Sequence, residues 1–273
     1  MRVPAVLADA DVVARRNIIK IKRVPDLLVF TTLQPIMFVL LFSYVFGGAI
    51  GSALGGAGGA GGAPPEVPMA GGFAPTAVFG APRTRPAAGE GGQKGVIDRF
   101  RSLPMAPSAV LTGRTFSDMV NNVVVLVVMS LTGLAVGWRI RSSFLDAVLG
   151  YLVLLAFAYA VSWIMAFVGM LVNSPEVFNN ASFIVIFPLT FIAITFVPLD
   201  TLPAPLQRFA EWNPVSSVTQ AAREQFGNVL PGTPEPTAWP LQNPVLYTLI
   251  WALLILAVFV PLANAQYRRS TSR

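Results

Sequence analysis

Apolar residues in this chain gather into long uninterrupted runs, separated by short basic or proline-rich stretches. Five runs are long enough to cross a bilayer: Leu27–Ile50, Asp118–Trp138, Phe144–Val172, Val177–Leu199 and Val245–Ala263. Each meets the requirement of about 20 residues for a helix spanning roughly 30 Å of hydrocarbon. Pro35 and Pro188 sit inside two of them, where neighbouring helices can re-satisfy the freed carbonyls. No Asp, Glu, Lys or Arg occupies the middle of any run. That argues against a carrier driven by protons or sodium, which needs ionisable groups inside the membrane.

Uncharged polar residues do occur in the runs, at Gln34, Asn121, Asn122, Ser130, Thr132, Ser162 and Thr190. They read either as the lining of a substrate path or as interhelical hydrogen-bonding groups, the commoner role in membranes. The first run is longer than the roughly 7–15 residues of a signal-peptide core, so it predicts a span rather than a cleaved leader, despite Gly47-Gly48-Ala49.

Between the runs, three stretches carry helical patterns of their own. Residues 4–24 place Val6, Ala10, Val13, Ile21 and Val24 on one face, with Arg15, Arg16, Lys20 and Lys22 mostly off it. A basic amphipathic helix beside a span is expected in the cytoplasmic interface. In Gln93–Arg114, Val96, Ile97, Phe100 and Leu103 share a face opposite Asp98, Arg99 and Arg101, and Pro104 ends the pattern. Residues 200–244 hold two short patterns, Leu202–Trp212 with Leu206, Phe209 and Trp212 on one face, and Ser216–Phe226 closed by Gly227. Trp212 and Trp239 suit a membrane–water boundary.

Residues 51–92 break the pattern. Gly51–Ala63 has the composition of a flexible linker. Residues 64–92 then mix six prolines, many glycines, Arg83 and Arg85, which makes a poor spanning helix. Its best apolar core, Met69–Ala81, would rise only about 20 Å as a helix. Charge bookkeeping nevertheless asks for a crossing here. With six crossings the N-terminal cluster, Lys94, Arg99, Arg101, Arg114, Arg268, Arg269 and Arg273 all lie inside. Only Arg139, Arg141, Arg208 and Arg223 lie outside, as the retention of Lys and Arg on the cytoplasmic side requires. Five crossings would put the second and third basic groups outside.

Composition narrows the chemistry. Hydrophobic residues make up 54% and charged residues 12% of the chain, the balance of a membrane protein. The net charge of +6 then reads as loop charge facing cytoplasm and anionic lipid, not as a nucleic-acid surface. With no Cys and no His, disulfides, thiol nucleophiles, Cys/His metal sites and His general bases are excluded. No Gly-Lys dipeptide occurs, so there is no Walker-type phosphate loop and no ATP site of that kind. An intramembrane enzyme would need a nucleophile or paired acids within the bilayer, and none is visible.

The runs GVIDRFRSLPMAPSAVLTGRTFSD, FVPLDTLPAPLQRFAEWNPVSSVTQAAREQFGN and RNIIKIKRVPDLLVFTTLQPIMFVLLFSYVFGG resemble the type-2 ABC transporter permeases, among them the daunorubicin-resistance (DrrB-like) exporters. The resemblance covers nearly the whole chain. It implies an all-α membrane protein forming one permease domain over 1–273. The expected parts are six spans, an N-terminal amphipathic interfacial helix (1–26), a linker and weak second span (51–92), a cytoplasmic coupling segment (93–114) and short extracellular helices (200–244). It also implies a transport subunit without catalytic residues, cofactor or metal. That subunit pairs with a second permease copy, expected as a homodimer, and with two ATPase subunits in the plasma membrane, both termini cytoplasmic. No nucleic-acid partner is implied.

Carried over onto this sequence, the ATPase contact falls on Val96, Ile97, Asp98, Arg99, Phe100, Arg101, Ser102, Leu103 and Pro104. An extracellular gate falls around Glu211, Trp212, Asn213 and Pro214. The departure is the second span. Met69-Ala70-Gly71, Phe73, Thr76–Ala81 and Gln93-Lys94-Gly95 match the family, whereas Pro68, Pro75, Pro82, Arg83, Arg85, Pro86, Gly91 and Gly92 do not. The expected function is ATP-driven export of amphipathic drugs or lipids. The alternative, resting on that degraded second span, is a non-transporting scaffold or a defective permease.

Overall fold

The computed structural model describes residues 25–41, 44, 72–76, 107–172, 174–195, 199, 202–229 and 235–271. The basic pattern over 4–24, most of 51–92 and the whole of Val96–Pro104 lie outside the described residues. All regular structure among the described residues is helical. The helices are α1 (Pro25–Leu40), α2 (Pro107–Val136), α3 (Phe144–Leu171), α4 (Pro175–Phe191), α5 (Ala204–Trp212), α6 (Pro214–Gln225), α7 (Trp239–Gln242) and α8 (Pro244–Thr271).

Three of them are long and apolar enough to cross a membrane, over Leu111–Val136, Phe144–Leu171 and Pro244–Arg269. Two predicted boundaries move. The run expected from Asp118 is helical from Pro107, because a proline is well tolerated at a helix start and the next ten residues hold no further proline. Leu111, placed in the loop by the sequence, is 1% exposed and packs with Trp163 and Ala263. The run expected to reach Leu199 stops as a helix at Phe191, and its 17 residues rise only about 25 Å.

The centre of the bundle is α3. Of its apolar window 61% is buried, against 33% for α2 and 22% for α8, so α3 is the helix the others surround. Its buried face carries Val153, Leu154, Phe157, Val161 and Met165, which meet Leu126 and Met129 of α2 and Ala252 and Ile255 of α8. Its start, and that of the next helix, are capped. Ser143 accepts from the Asp146 amide at the start, and the turn into α4 is capped by Ser174, which accepts from the Val177 amide.

At one end of the bundle the loop after α2 and the end of α6 form a clasp. The Arg141 amide donates to the Phe226 carbonyl at 2.9 Å, and the Ser142 hydroxyl donates to the Gln225 carbonyl. Asn228 uses both ends of its amide, accepting from the Trp138 indole and donating to the Arg139 carbonyl, each at 2.9 Å. Four rings close behind these bonds: Phe73, Trp138, Tyr151 and Phe226, with centroids 4.9 to 6.3 Å apart. Phe73 belongs to residues 72–76, a single helical turn that is the described part of the proline-rich second run, and all five are buried.

Two glycines permit this closeness. A Cβ on Gly150 would lie 2.9 Å from the Gln225 Cβ and 3.0 Å from the Phe226 ring. Gly227 ends α6 at φ +68°, and a Cβ there would sit 2.9 Å from the Arg141 carbonyl carbon and the Ser142 nitrogen. Gly227→Ala therefore combines left-handed strain of about 1–2 kcal/mol with a backbone clash that cannot relax by rotamer change. We expect it to lower the melting temperature of the purified protein by several degrees. An unchanged melting curve would show that the clasp is loose.

Candidate functional site

The residues the sequence assigned to an extracellular gate come together at the clasp end, between α4, α6 and α8. Asn213 holds them. It is 2% exposed, its side-chain oxygen accepts from the Val215 amide to cap α6, and its Nδ2 donates to the Leu189 carbonyl at 2.6 Å. Pro214 follows it at the first helical position of α6, where its missing N–H costs nothing. The Trp212 carbonyl accepts from the Tyr247 hydroxyl of α8 at 2.8 Å. The Trp212, Trp239 and Trp251 rings lie around Tyr247 at 6.4, 6.0 and 6.3 Å. Glu211 is half-buried on the last turn of α5. The apolar face of α5 points outward, with Leu206 40%, Phe209 46% and Trp212 56% exposed, as an interfacial helix requires.

From Asn213 a polar seam runs along α6. The Ser216 hydroxyl accepts from the Ile194 amide, the Thr219 and Thr195 hydroxyls bond each other at 2.9 Å, and Arg223 Nη2 donates to the Ile194 carbonyl at 3.3 Å. These side chains satisfy the backbone just past the end of α4, where the helix no longer does. Ser216, Thr219 and Arg223 fall at helical spacing on one face of α6, so the pattern was visible in the sequence. Its burial was not, because a face of hydroxyls and an arginine reads as a wet one. Burial pulls the Arg223 guanidinium down to about 10, which leaves it cationic at neutral pH. Next to it, burial raises the Glu224 carboxyl, partly offset by the hydrogen bond from Gln220.

The candidate path residues differ in the partners they take. Ser130 bonds the Tyr151 hydroxyl of α3 at 2.7 Å as well as its own helix, the interhelical bond expected of such groups. Thr132, Ser162 and Thr190 donate to carbonyls four residues back in their own helices. Asn121 is buried, and Gln34 faces outward from α1. Asn122 is the exception. It is 1% exposed, and neither end of its amide has a partner. Among the described residues no group of three or more His, Cys, Asp or Glu side chains could hold a metal ion.

The profile of the ABC-2 type transporter membrane domain matches residues 10–226. The chain is 32% identical over 257 residues to the daunorubicin resistance ABC transporter permease protein DrrB1 of Streptomyces coeruleorubidus, covering 94% of this chain and 85% of that one. It is also 25% identical over 178 residues to the probable doxorubicin resistance ABC transporter permease protein DrrC of Mycobacterium tuberculosis, covering 65% of this chain and 60% of the relative. With a bundle of apolar helices and a match that runs from before α1 to the end of α6, this chain belongs to the ABC-2 type transporter family and is a multi-pass membrane permease subunit of an ABC exporter.

Proposed function

We propose that this subunit exports amphipathic drugs or lipids, works as a pair of permeases with two separate ATPase subunits, and crosses the membrane six times with both termini inside. The observation that carries the substrate class is the likeness, over most of both chains, to a daunorubicin resistance permease. The spans fit such a cargo, since they offer apolar and aromatic surface with no charge in the middle.

Several features support the topology. The loop 137–143 and residues 225–228 bond each other at one end of the bundle, and the short turn after α3 lies at the other. Phe73 packs against Trp138 and Phe226, so Thr76 sits near the clasp, whereas Pro107 starts α2 at the far end of about 45 Å of helix. Thr76 and Pro107 thus lie at opposite ends of the bundle, the placement that a second crossing needs. This weighs against a scaffold with a lost span. Pairing draws support from α4. Its outward face carries Glu176, Asn179 and Asn180 and then Phe183, Phe187 and Phe191, with ring centroids 4.9 and 4.1 Å apart. Lipid is a poor partner for the amides, and a second copy is a better one.

In this reading ATP-driven closure of the partner pushes the Val96–Pro104 segment. The push tilts α2 and α3, and with them the clasp. Glu211, Trp212, Asn213 and Pro214 then act as the outer gate, because Asn213 and Tyr247 tie α4, α6 and α8 together there.

Three outcomes are expected. A cysteine at Ser102 should resist an impermeant thiol reagent in intact cells and react after permeabilisation, while one at Thr237, exposed before α7, should react in intact cells. The reverse pattern would invert the topology. Arg99→Glu with Arg101→Glu should weaken ATPase co-purification by about tenfold or more, since reversed rim charges cost several kcal/mol, and leave membrane insertion intact. Normal pull-down and export by that double variant would remove the segment from the coupling path.

Asn213→Ala should cost about 2 kcal/mol or more, from a lost cap and an orphaned carbonyl, and should lower export. Asn213→Asp keeps the cap but sets a carboxylate against the Leu189 carbonyl, so it should melt no higher than the alanine variant. Wild-type melting of Asn213→Asp would mean that the bond to α4 carries no weight.

A further inference from the structure

Arg223 is a cation that no acid among the described residues neutralises. Its guanidinium has five N–H donors in a fixed plane. Among the described residues they make one bond, from Nη2 to the Ile194 carbonyl at 3.3 Å, and Nε is enclosed without a partner. The hydroxyls beside it are committed, Thr195 to Thr219 and Ser216 to the Ile194 amide. The neighbouring acid, Glu224, points from a different face of α6 and holds Gln220. A half-buried guanidinium with one long bond and an orphaned Nε is an expensive arrangement unless an anion completes it.

The surroundings indicate which anion. The same end of the molecule turns the apolar face of α5 outward, and Trp212 and Trp239 are 56% and 45% exposed there. Such a surface lies at the depth of lipid headgroups. The chemistry present at that depth and matched by a planar two-pronged donor is a phosphate oxygen pair. We propose that Arg223 binds a phosphate group at the seam between α6 and the turn after α4, supplied by a phospholipid headgroup or by free phosphate. The bound phosphate braces the seam, because the guanidinium that holds it also holds Ile194.

The test uses the full-length permease in nanodiscs. Phosphatidylglycerol carrying a diazirine on its headgroup is incorporated at a few per cent in phosphatidylcholine, photolysed, and the labelled peptides are mapped. A headgroup source predicts labelling within 192–195 and 219–229, lowered at least fivefold in Arg223→Gln, partly retained in Arg223→Lys, and unchanged in Arg208→Gln on exposed α5. Melting in 50 mM inorganic phosphate is compared with melting in chloride of equal ionic strength. A free-phosphate source predicts a rise in melting temperature that Arg223→Gln abolishes, and loss of the lipid labelling in that buffer. The mapping on wild-type protein decides even where Arg223→Gln does not fold, with Arg223→Lys as the variant. Absence of labelling in these peptides together with no phosphate-dependent rise in wild-type melting overturns the proposal. Labelling and melting shifts that are equal in wild type and the Arg223 variants also overturn it.

Discussion

The seam between α6 and the turn after α4 is the contact on which one end of the molecule depends. An apolar run that stops being helical before it has spanned the bilayer leaves backbone donors and acceptors that hydrocarbon cannot satisfy. Here α4 stops at Phe191, and α6 with its cap supplies backbone partners from Asn213, Ser216 and Arg223, while Thr219 bonds the Thr195 hydroxyl beside them. That is why a helix with a polar face is buried among spans. It is also why Asn213 has two bonds rather than the one that a cap needs. Through Phe226 and Asn228 the same helix grips the loop before α3, so the ends of α2, α3, α4 and α8 share one rigid block.

Within the spans the hydroxyls are largely self-contained. Thr132, Ser162 and Thr190 bond back into their own helices, which costs no partner on a neighbour and leaves the helices free to slide. One exception joins α2 to α3 through Ser130 and Tyr151, near the clasp. Fixed polar contacts are thus gathered toward that end, while the rest of the α3 interface is apolar packing among residues such as Phe157, Val161 and Met165. Apolar packing tolerates small rotations better than directional bonds do, so this distribution favours tilting about the clasp.

Much of this was legible in the sequence. Length and hydropathy alone identify α3 and α8, because a bilayer demands about 20 apolar residues and few soluble cores do. The end of α6 was readable from Gly227, whose φ of +68° is the conformation a helix-terminating glycine adopts. Boundaries were less readable. Nothing between Gln93 and Asp118 looks apolar enough to be a span, yet Leu111 is buried because α8 brings Ala263 across from far along the chain. The early stop of α4 was hidden for a related reason, since the residues that make a turn affordable there are 20 to 30 positions downstream. The path residues looked like a set by type. Only the structure shows that Ser130, Thr132, Ser162 and Thr190 bond back onto their own helices.

The four-ring cluster has a consequence for how the chain is made. Phe73 emerges from the ribosome long before the surfaces that receive it, and Phe226 follows about 150 residues later. At roughly 5–20 residues per second, that is a wait of about 8–30 s. During that interval the proline-rich stretch around Phe73 has no native slot and little apolar surface with which to hold itself in the membrane. Its placement is therefore decided late, by the arrival of Trp138, Tyr151 and finally Phe226. Early in synthesis it is a client of the insertion machinery rather than a finished element of the bundle.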